Sequence, residues 1–129
     1  MAASTAVVNV GRALITNRIN GGGTTPTYVA IGTGSTAVSL TDTTLGTEVE
    51  TRSNGTASRT TTSTTNDTFQ VVSSAIVATA PRVVAEVGLF DASSSGTLFV
   101  RGVLGSTVSL ATGDSITVTV TVQVTSSVI

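Results

Sequence analysis

Short stretches of apolar and β-branched residues, separated by turns rich in Gly, Asn and Ser, run along most of this chain. The clearest stretch is residues 116–124, where Ile or Val at every second position alternates with Thr or Gln. Strict alternation of this kind predicts a strand with one face in a core and the other exposed. About seven such strands at short spacing predict an all-β fold, either an antiparallel β-sandwich or a jelly-roll-like barrel.

The first half of the chain supplies three of these elements. Residues 28–31 form a short apolar strand that stops at the turn sequence Gly-Thr-Gly-Ser, residues 32–35, which lacks the Lys of a phosphate-binding loop. A second extended stretch covers residues 45–52, and Asn54-Gly55 behind it favours a two-residue hairpin turn. The returning residues 56–65 contain almost nothing apolar, which predicts an exposed edge strand or a loop ordered by assembly.

The second half of the chain contains a more strongly apolar set of strands. Residues 69–78 and 83–90 are two strands separated near Pro81, which cannot donate to a strand ladder. A Ser- and Gly-rich turn at residues 91–96 leads into another strand at residues 97–104. This arrangement predicts a second hairpin.

The N-terminal segment has a different pattern. Residues 6–19 have apolar positions near helical spacing, with Asn9 as a candidate N-cap, and a Gly run at residues 21–23 follows. We expect a short helix or a mobile arm. The predicted organisation is therefore an N-terminal arm or helix with a Gly hinge, residues 1–23, and a β-sandwich domain, residues 24–129.

Two arginines in this segment make it a candidate contact region. Arg12 and Arg18 lie on either side of the apolar Leu14 and Ile15, a combination able to anchor an arm on a neighbouring subunit or on an acidic patch. The alternative is a helix packed against its own sandwich. The Gly run permits both arrangements.

Composition argues against an enzyme. The chain contains no His, Cys or Lys, while Thr, Ser and Val make up about half of it. The residues that usually activate a hydroxyl or carboxylate are thus missing, and with them the usual N and S ligands of metals, so we expect neither catalysis nor a metal or other cofactor. The fraction of charged residues is 10% and the net charge is -1, which disfavours nucleic acid as a partner.

Neither a membrane partner nor a secretory route is indicated. No apolar run approaches the roughly 20 residues that cross a bilayer, and the N-terminus lacks the basic and apolar regions of a signal peptide. We therefore expect synthesis in the cytoplasm.

Two glutamates on one probable strand form a candidate acid pair. Glu48 and Glu50 are two residues apart and are expected on the same face, as in a glycosidase or a metal site. Arg52 continues that face, and Arg59 is expected across the turn. Charge pairing on a solvated sheet surface is therefore the favoured interpretation.

A third glutamate lies within an otherwise apolar strand. Glu86 is expected either on the solvent face or paired with an arginine, such as Arg82 or Arg101. An ion pair between subunits is the more specific hypothesis for this residue.

Several sequence blocks, taken in order, resemble one group of proteins. They are GRALITNR at residues 11–18, YVAIGTG at 28–34, DTTLGTEV at 42–49, EVGLFDA at 86–92 and a terminal strand, GDSITVTVTV, that begins at Gly113. Together they resemble small virion structural proteins of tailed bacteriophages. Each block alone is a strand and a turn, so the resemblance depends on their order and spacing.

The resemblance implies a protein of the virion, made in the host cytoplasm, with no enzymatic activity. Proteins of this group include capsid decoration and head-fibre proteins, and a capsid decoration (cement) protein is favoured, because the chain is small and has no long fibrous repeat. Such a protein binds the major capsid protein or another virion protein, stabilises the shell, and is expected to be a homo-oligomer, with a closed trimer favoured by symmetry. The candidate interface residues are Arg12, Leu14, Ile15, Arg18, Glu48, Arg52, Glu86 and Arg101.

Three other functions remain open on the sequence. A tail, collar, baseplate or tail-fibre component would share the resemblance but occupy another position in the particle. A surface adhesin or the subunit of a self-polymerising extracellular filament would suit the Thr-, Ser- and Val-rich composition. A carbohydrate-binding module or glycosidase is disfavoured, because one Tyr and three Phe leave little for an aromatic platform.

Overall fold

The computed structural model describes residues 2–128, which form ten strands and one helix. In chain order these are β1 (Ala2–Val7), α1 (Asn9–Ile19), β2 (Tyr28–Gly32), β3 (Glu48–Asn54), β4 (Thr56–Thr60), β5 (Thr68–Val72), β6 (Ile76–Val77), β7 (Arg82–Phe90), β8 (Leu98–Leu110), β9 (Ser115–Ile116) and β10 (Thr119–Gln123). Within these residues all strand pairs are antiparallel.

The strands form three sheets. The largest has the order β1-β8-β7-β2-β3, the second has the order β10-β5-β4, and β6 pairs with β9. Val71 and Val120 of the second sheet pack in one core cluster with Val29 and Leu89 of the largest sheet. The predicted antiparallel, sandwich-like all-β fold with a short N-terminal helix is therefore confirmed.

The largest sheet is buried on both faces. Val29 and Ile31 of β2 belong to the cluster shared with the second sheet, whereas Ala30 between them belongs to a separate cluster with Phe90 and Leu45. Leu45 lies in the long connection between β2 and β3. Alternate side chains of a strand point to opposite faces, so this connection, residues 33–47, covers the second face of the sheet.

The N-terminal segment packs against its own chain. Strand β1 pairs with β8. Helix α1 begins two residues after the end of β1 and also packs against β8. An added Cβ at Gly11 would overlap the carbonyl of Phe99, so Gly at this position lets the helix lie close to β8. The expected Asn9 N-cap is wrong: Val8 occupies that position without a side-chain cap, and the Asn9 N–H donates to the Leu40 carbonyl at 2.8 Å.

The hairpin expected at Asn54-Gly55 is also wrong, because β3 and β4 lie in different sheets. The Gly55 N–H donates to the Thr27 carbonyl at 2.7 Å. A Cβ at Gly55 would lie 2.6 Å from a methyl carbon of Val71 and 2.8 Å from the Val72 carbonyl oxygen. Gly55 therefore allows a close approach to β5 where the chain changes sheet, and it is not the positive-φ residue of a tight turn.

The remaining strand predictions are confirmed in part. Strand β4 is an exposed edge, as its polar composition predicts, and β7 and β8 form the second hairpin around residues 91–96. The single strand expected over residues 116–124 is divided into β9 and β10, which pair with β6 and β5. The alternation still holds in β10, where Val120 is buried and its neighbours are exposed, but Val124 beyond the strand is 72% exposed.

Candidate functional site: a buried carboxylate beneath a clamped loop

Glu86 on β7 is a fully buried carboxylate, with no exposed surface in the chain. Its Oε2 atom accepts hydrogen bonds from the N–H groups of Gly34 at 2.9 Å and Thr47 at 2.7 Å. Its Oε1 atom accepts from the Gly46 N–H at 2.8 Å and from Nε of Arg101 at 3.0 Å. Four donors thus surround one carboxylate, which compensates for its removal from water.

Arg101 on β8 links this carboxylate to the middle of the covering loop. It is 2% exposed. Besides Glu86, its guanidinium donates to Oδ2 of Asp42 at 2.9 Å and to the carbonyl of Thr36 at 2.9 Å, with a longer contact of 3.4 Å to the Ala37 carbonyl. Glu86 therefore binds the two ends of the loop and Arg101 binds its centre.

Glycines make room for the carboxylate. A Cβ at Gly32 would lie 2.6 Å from Oε2 of Glu86 and 2.6 Å from the Thr47 carbonyl oxygen, and one at Gly34 would overlap the same Oε2 atom. No side chain fits at either position without displacing Glu86 or the loop backbone. The Gly34 N–H of the predicted Gly-Thr-Gly-Ser turn therefore points at the buried Glu86 carboxylate. In a phosphate-binding loop, such N–H groups point at a bound ligand.

The electrostatics keep Glu86 ionised. Burial alone would raise its pKa, but hydrogen bonds from the Thr47 and Gly46 N–H groups and from Arg101 outweigh burial, so the pKa lies below its ordinary value. An enclosed carboxylate in this state has no proton to donate and no open side for a substrate. Its chemistry is to hold the loop in place.

Glu86 is paired within its own chain and does not face solvent. Its partner is Arg101 of the same chain, whereas Arg82 pairs with Glu50 at 2.7 Å. The solvent-face alternative is wrong. Because Glu86 and Arg101 are both enclosed within the chain, neither is available at its surface for an ion pair between subunits.

The carboxylate pair expected on one face of β3 does not form. Glu50 has a φ of 64°, and the pairing of β2 with β3 shifts register at this point, so the alternation of faces is interrupted by a bulge. Glu50 instead binds Arg82 and Thr79, with its pKa lowered chiefly by the Arg82 hydrogen bond. Glu48 pairs with Arg52, as charge pairing on the sheet predicts.

Arg52 has more contacts than a surface ion pair requires. It binds both carboxylate oxygens of Glu48, at 2.9 and 3.0 Å, and both the Ala92 and Ser95 carbonyls at 2.8 Å. Its guanidinium carbon lies 3.6 Å from the centre of the Phe90 ring. Arg52 therefore joins β3 to the β7–β8 turn.

Arg59, which was expected nearby, lies on β4, in the other sheet.

The four candidate residues of α1 divide into two pairs. Leu14 is buried in the core and Ile15 packs against it from a half-buried position. Arg12 is exposed, and Arg18 folds back on the end of the helix, donating to the Gly22 and Gly23 carbonyls at 3.2 and 2.8 Å.

Sequence reasoning missed Asp42 as a partner of Arg101. It also missed the role of Gly32, Gly34 and Gly46 around Glu86. The available signal was that these residues all belong to the blocks that carried the phage resemblance, together with Glu86 itself.

No group of three or more His, Cys, Asp and Glu side chains in residues 2–128 is placed to hold a metal ion, and this range has no helix with the length and hydropathy needed to cross a bilayer. Comparisons of the chain with protein-family models and with curated proteins find no match.

Proposed function

We propose that the protein is a non-enzymatic structural component of a tailed-bacteriophage virion, made in the host cytoplasm, and that it is a capsid decoration protein. One observation carries the proposal. Gly32 and Gly34 of the YVAIGTG block and Gly46 and Thr47 of the DTTLGTEV block meet around the carboxylate of Glu86, which belongs to the EVGLFDA block. Because these three segments contact one another around one buried group, they form a single structural unit, and this supports treating them as one pattern rather than as three separate strand-and-turn matches.

The state of the acidic residues supports a structural role. Glu86 and Asp42 bind Arg101, Glu48 binds Arg52, and Glu50 binds Arg82. The lowered pKa values of Glu86 and Glu50 make these two carboxylates poor general acids. In this proposal the two carboxylates that bind Arg101 fix the connection that covers one face of the largest sheet.

The proposed mechanism is the stabilisation of an assembled shell by binding. A protein that binds only the assembled capsid stabilises it by an amount that grows with the ratio of the free protein concentration to the dissociation constant. In this proposal the chain is a homo-oligomer, with a trimer the expected form, and its partner is the major capsid protein or another virion protein.

The test combines two measurements. Light scattering gives the mass of the purified chain, and sedimentation shows whether it binds capsids that lack it. A discrete oligomer that sediments with capsids and raises their melting temperature is the expected result. A closed oligomer that ignores capsids but binds purified tails would favour a tail component, and indefinite filaments would favour the filament subunit.

A further inference from the structure

An apolar trough lies between helix α1 and the end of the second sheet. It encloses a cavity of 250 Å³. Apolar side chains from both sides line it, namely Leu14, Ile15, Ile19, Pro26, Phe69, Phe99, Val122 and Val124. It adjoins a larger and more polar cavity of 610 Å³ that shares Phe69 and Val124 with it. The two cavities therefore form one continuous surface.

Two aliphatic side chains of the trough are far more exposed than its floor. Ile19 is 82% exposed and Val124 is 72% exposed, on opposite walls. Single exposed aliphatic residues are common, but two that flank an apolar cavity make a contiguous apolar patch. Such a patch is typical of a surface that another molecule covers.

The two walls of this surface carry opposite charges. Arg18 lines the apolar cavity, and Asp67 lines the adjoining one. The N–H groups of Thr64, Thr62 and Ser63 donate to Asp67 and hold its pKa far below the usual range, so its negative charge persists. A surface with a cation on one wall, an anion on the other and aliphatic groups between them is complementary to a copy of itself.

We propose that the trough is the contact surface between copies of this chain. The Arg18 and Ile19 wall of one copy packs against the Val124 and Asp67 wall of the next. Because the two walls differ, this contact is heterologous, and it forms a closed ring when the rotation between neighbouring copies returns to the first copy. The inference rests on the homo-oligomer of the proposed function and names the surface that forms it.

The absence of cysteine from the sequence allows a direct test. The Ile19→Cys variant is mixed with a Val124→Cys variant that carries a mass tag, and the mixture is oxidised. A disulfide-linked dimer of one tagged and one untagged chain is the expected product, because a disulfide requires Cα atoms within about 7 Å. The matched control replaces Ile19→Cys by Val83→Cys, since Val83 on β7 is 52% exposed and lies outside the trough.

A second measurement uses association in solution. Ile19→Asn is expected to raise the dissociation constant of the oligomer by at least about tenfold, while Val83→Asn leaves it unchanged. Arg18→Gln is expected to weaken association more than Arg12→Gln, which changes an exposed arginine of the same helix outside the trough. Light scattering over a dilution series measures each constant, and circular dichroism checks the fold.

The outcomes separate this inference from the proposed function. An oligomer that gives no more Ile19–Val124 cross-link than the Val83 control overturns the trough as the contact surface, while capsid binding remains a separate result. A chain that is monomeric throughout the dilution series overturns the homo-oligomer as well. A monomer that sediments with capsids and loses this binding on Ile19→Asn assigns the trough to a virion partner, and this also overturns the inference.

Discussion

Oε1 of Glu86 lies 3.0 Å from Nε of Arg101, and the two side chains are 0% and 2% exposed. A buried ion pair is costly to form, because both charges leave water, and it persists only where other hydrogen bonds satisfy the remaining atoms. Here three backbone N–H groups complete the carboxylate, and Asp42 and the Thr36 carbonyl complete the guanidinium. Within the described part of the chain, every buried side-chain N or O atom has a hydrogen-bond partner.

Glu86→Gln is expected to destabilise the protein by about 3–5 kcal/mol, because it removes the buried one of the two carboxylates that pair with Arg101 and leaves Asp42 as its only anionic partner. The new amide also places an NH₂ group where only acceptors fit, against the Gly46 or Thr47 N–H. Urea denaturation monitored by circular dichroism measures the free energy of unfolding. The matched control is Glu48→Gln, which breaks a partly exposed ion pair and is expected to cost about 1 kcal/mol or less. Equal losses for the two variants would contradict the role assigned to Glu86.

Gly32→Ala is expected to lower the free energy of unfolding by about 1–3 kcal/mol, because its Cβ would lie 2.6 Å from both Glu86 Oε2 and the Thr47 carbonyl oxygen. Gly46→Ala is the control from the same site, since its Cβ would lie 3.4 Å from Oε2 of Glu86, an ordinary contact. It is expected to change the free energy of unfolding by about 1 kcal/mol or less. Thermal melting of both variants compares the costs. A Gly32→Ala variant as stable as the Gly46→Ala variant would show that the space around the Glu86 carboxylate is less confined than the structure indicates.

Acid is expected to weaken the protein through Glu86. Its pKa in the folded chain lies below the ordinary value of 4.5, so its contribution to stability is complete above pH 4.5 and is lost as the pH falls through the folded-state pKa. The unfolded chain binds more protons in this range, so stability rises with pH. Glu50 and Asp67 have lowered pKa values and contribute with the same sign.

Denaturation between pH 3 and 7 checks this dependence. The free energy of unfolding of the wild type is expected to fall more steeply below pH 4.5 than that of Glu86→Gln, which lacks one titrating group. Parallel curves would mean that the other carboxylates account for the whole acid sensitivity.

Arg52→Lys is expected to cost about 1–2 kcal/mol despite the conserved charge. An ammonium group cannot bind both oxygens of Glu48, reach the Ala92 and Ser95 carbonyls and stack on Phe90 at the same time. Arg59→Lys on the exposed edge strand is the control, with an expected change within about 0.5 kcal/mol. Chemical denaturation of both variants provides the comparison, and a harmless Arg52→Lys would mean that its charge alone matters.

Local sequence patterns predicted those elements whose partners are close in the chain. The Ser- and Gly-rich residues 91–96 join two apolar stretches, and β7 and β8 pair as expected. The polar residues of β4 predicted an edge because no face could be buried. At Asn54-Gly55 the same kind of reasoning failed, because the turn preference of a dipeptide is local whereas Gly55 is required by the close approach of β5.

The candidate site was predictable only in part. A glutamate within an apolar strand indicated a partner, and Arg101 was one of the two arginines considered. The surroundings of Glu86 depend on how the long connection of residues 33–47 folds over the sheet. No periodic pattern in that connection predicts this fold. The alternation in residues 116–124 likewise predicts which side chains face a core. It does not predict that β9 and β10 belong to different sheets.

The order of strands in the largest sheet has a consequence for how the chain folds during synthesis. Strand β1 is translated before the other described strands, yet it pairs with β8, which begins at Leu98. The sheet is therefore completed only after most of the chain has been translated. Until then, the backbone N–H and C=O groups of β1 are hydrogen-bonded to water. Non-local pairing of this kind is expected to slow folding to about milliseconds to seconds, because the long intervening segment has to be ordered before β1 gains its partner.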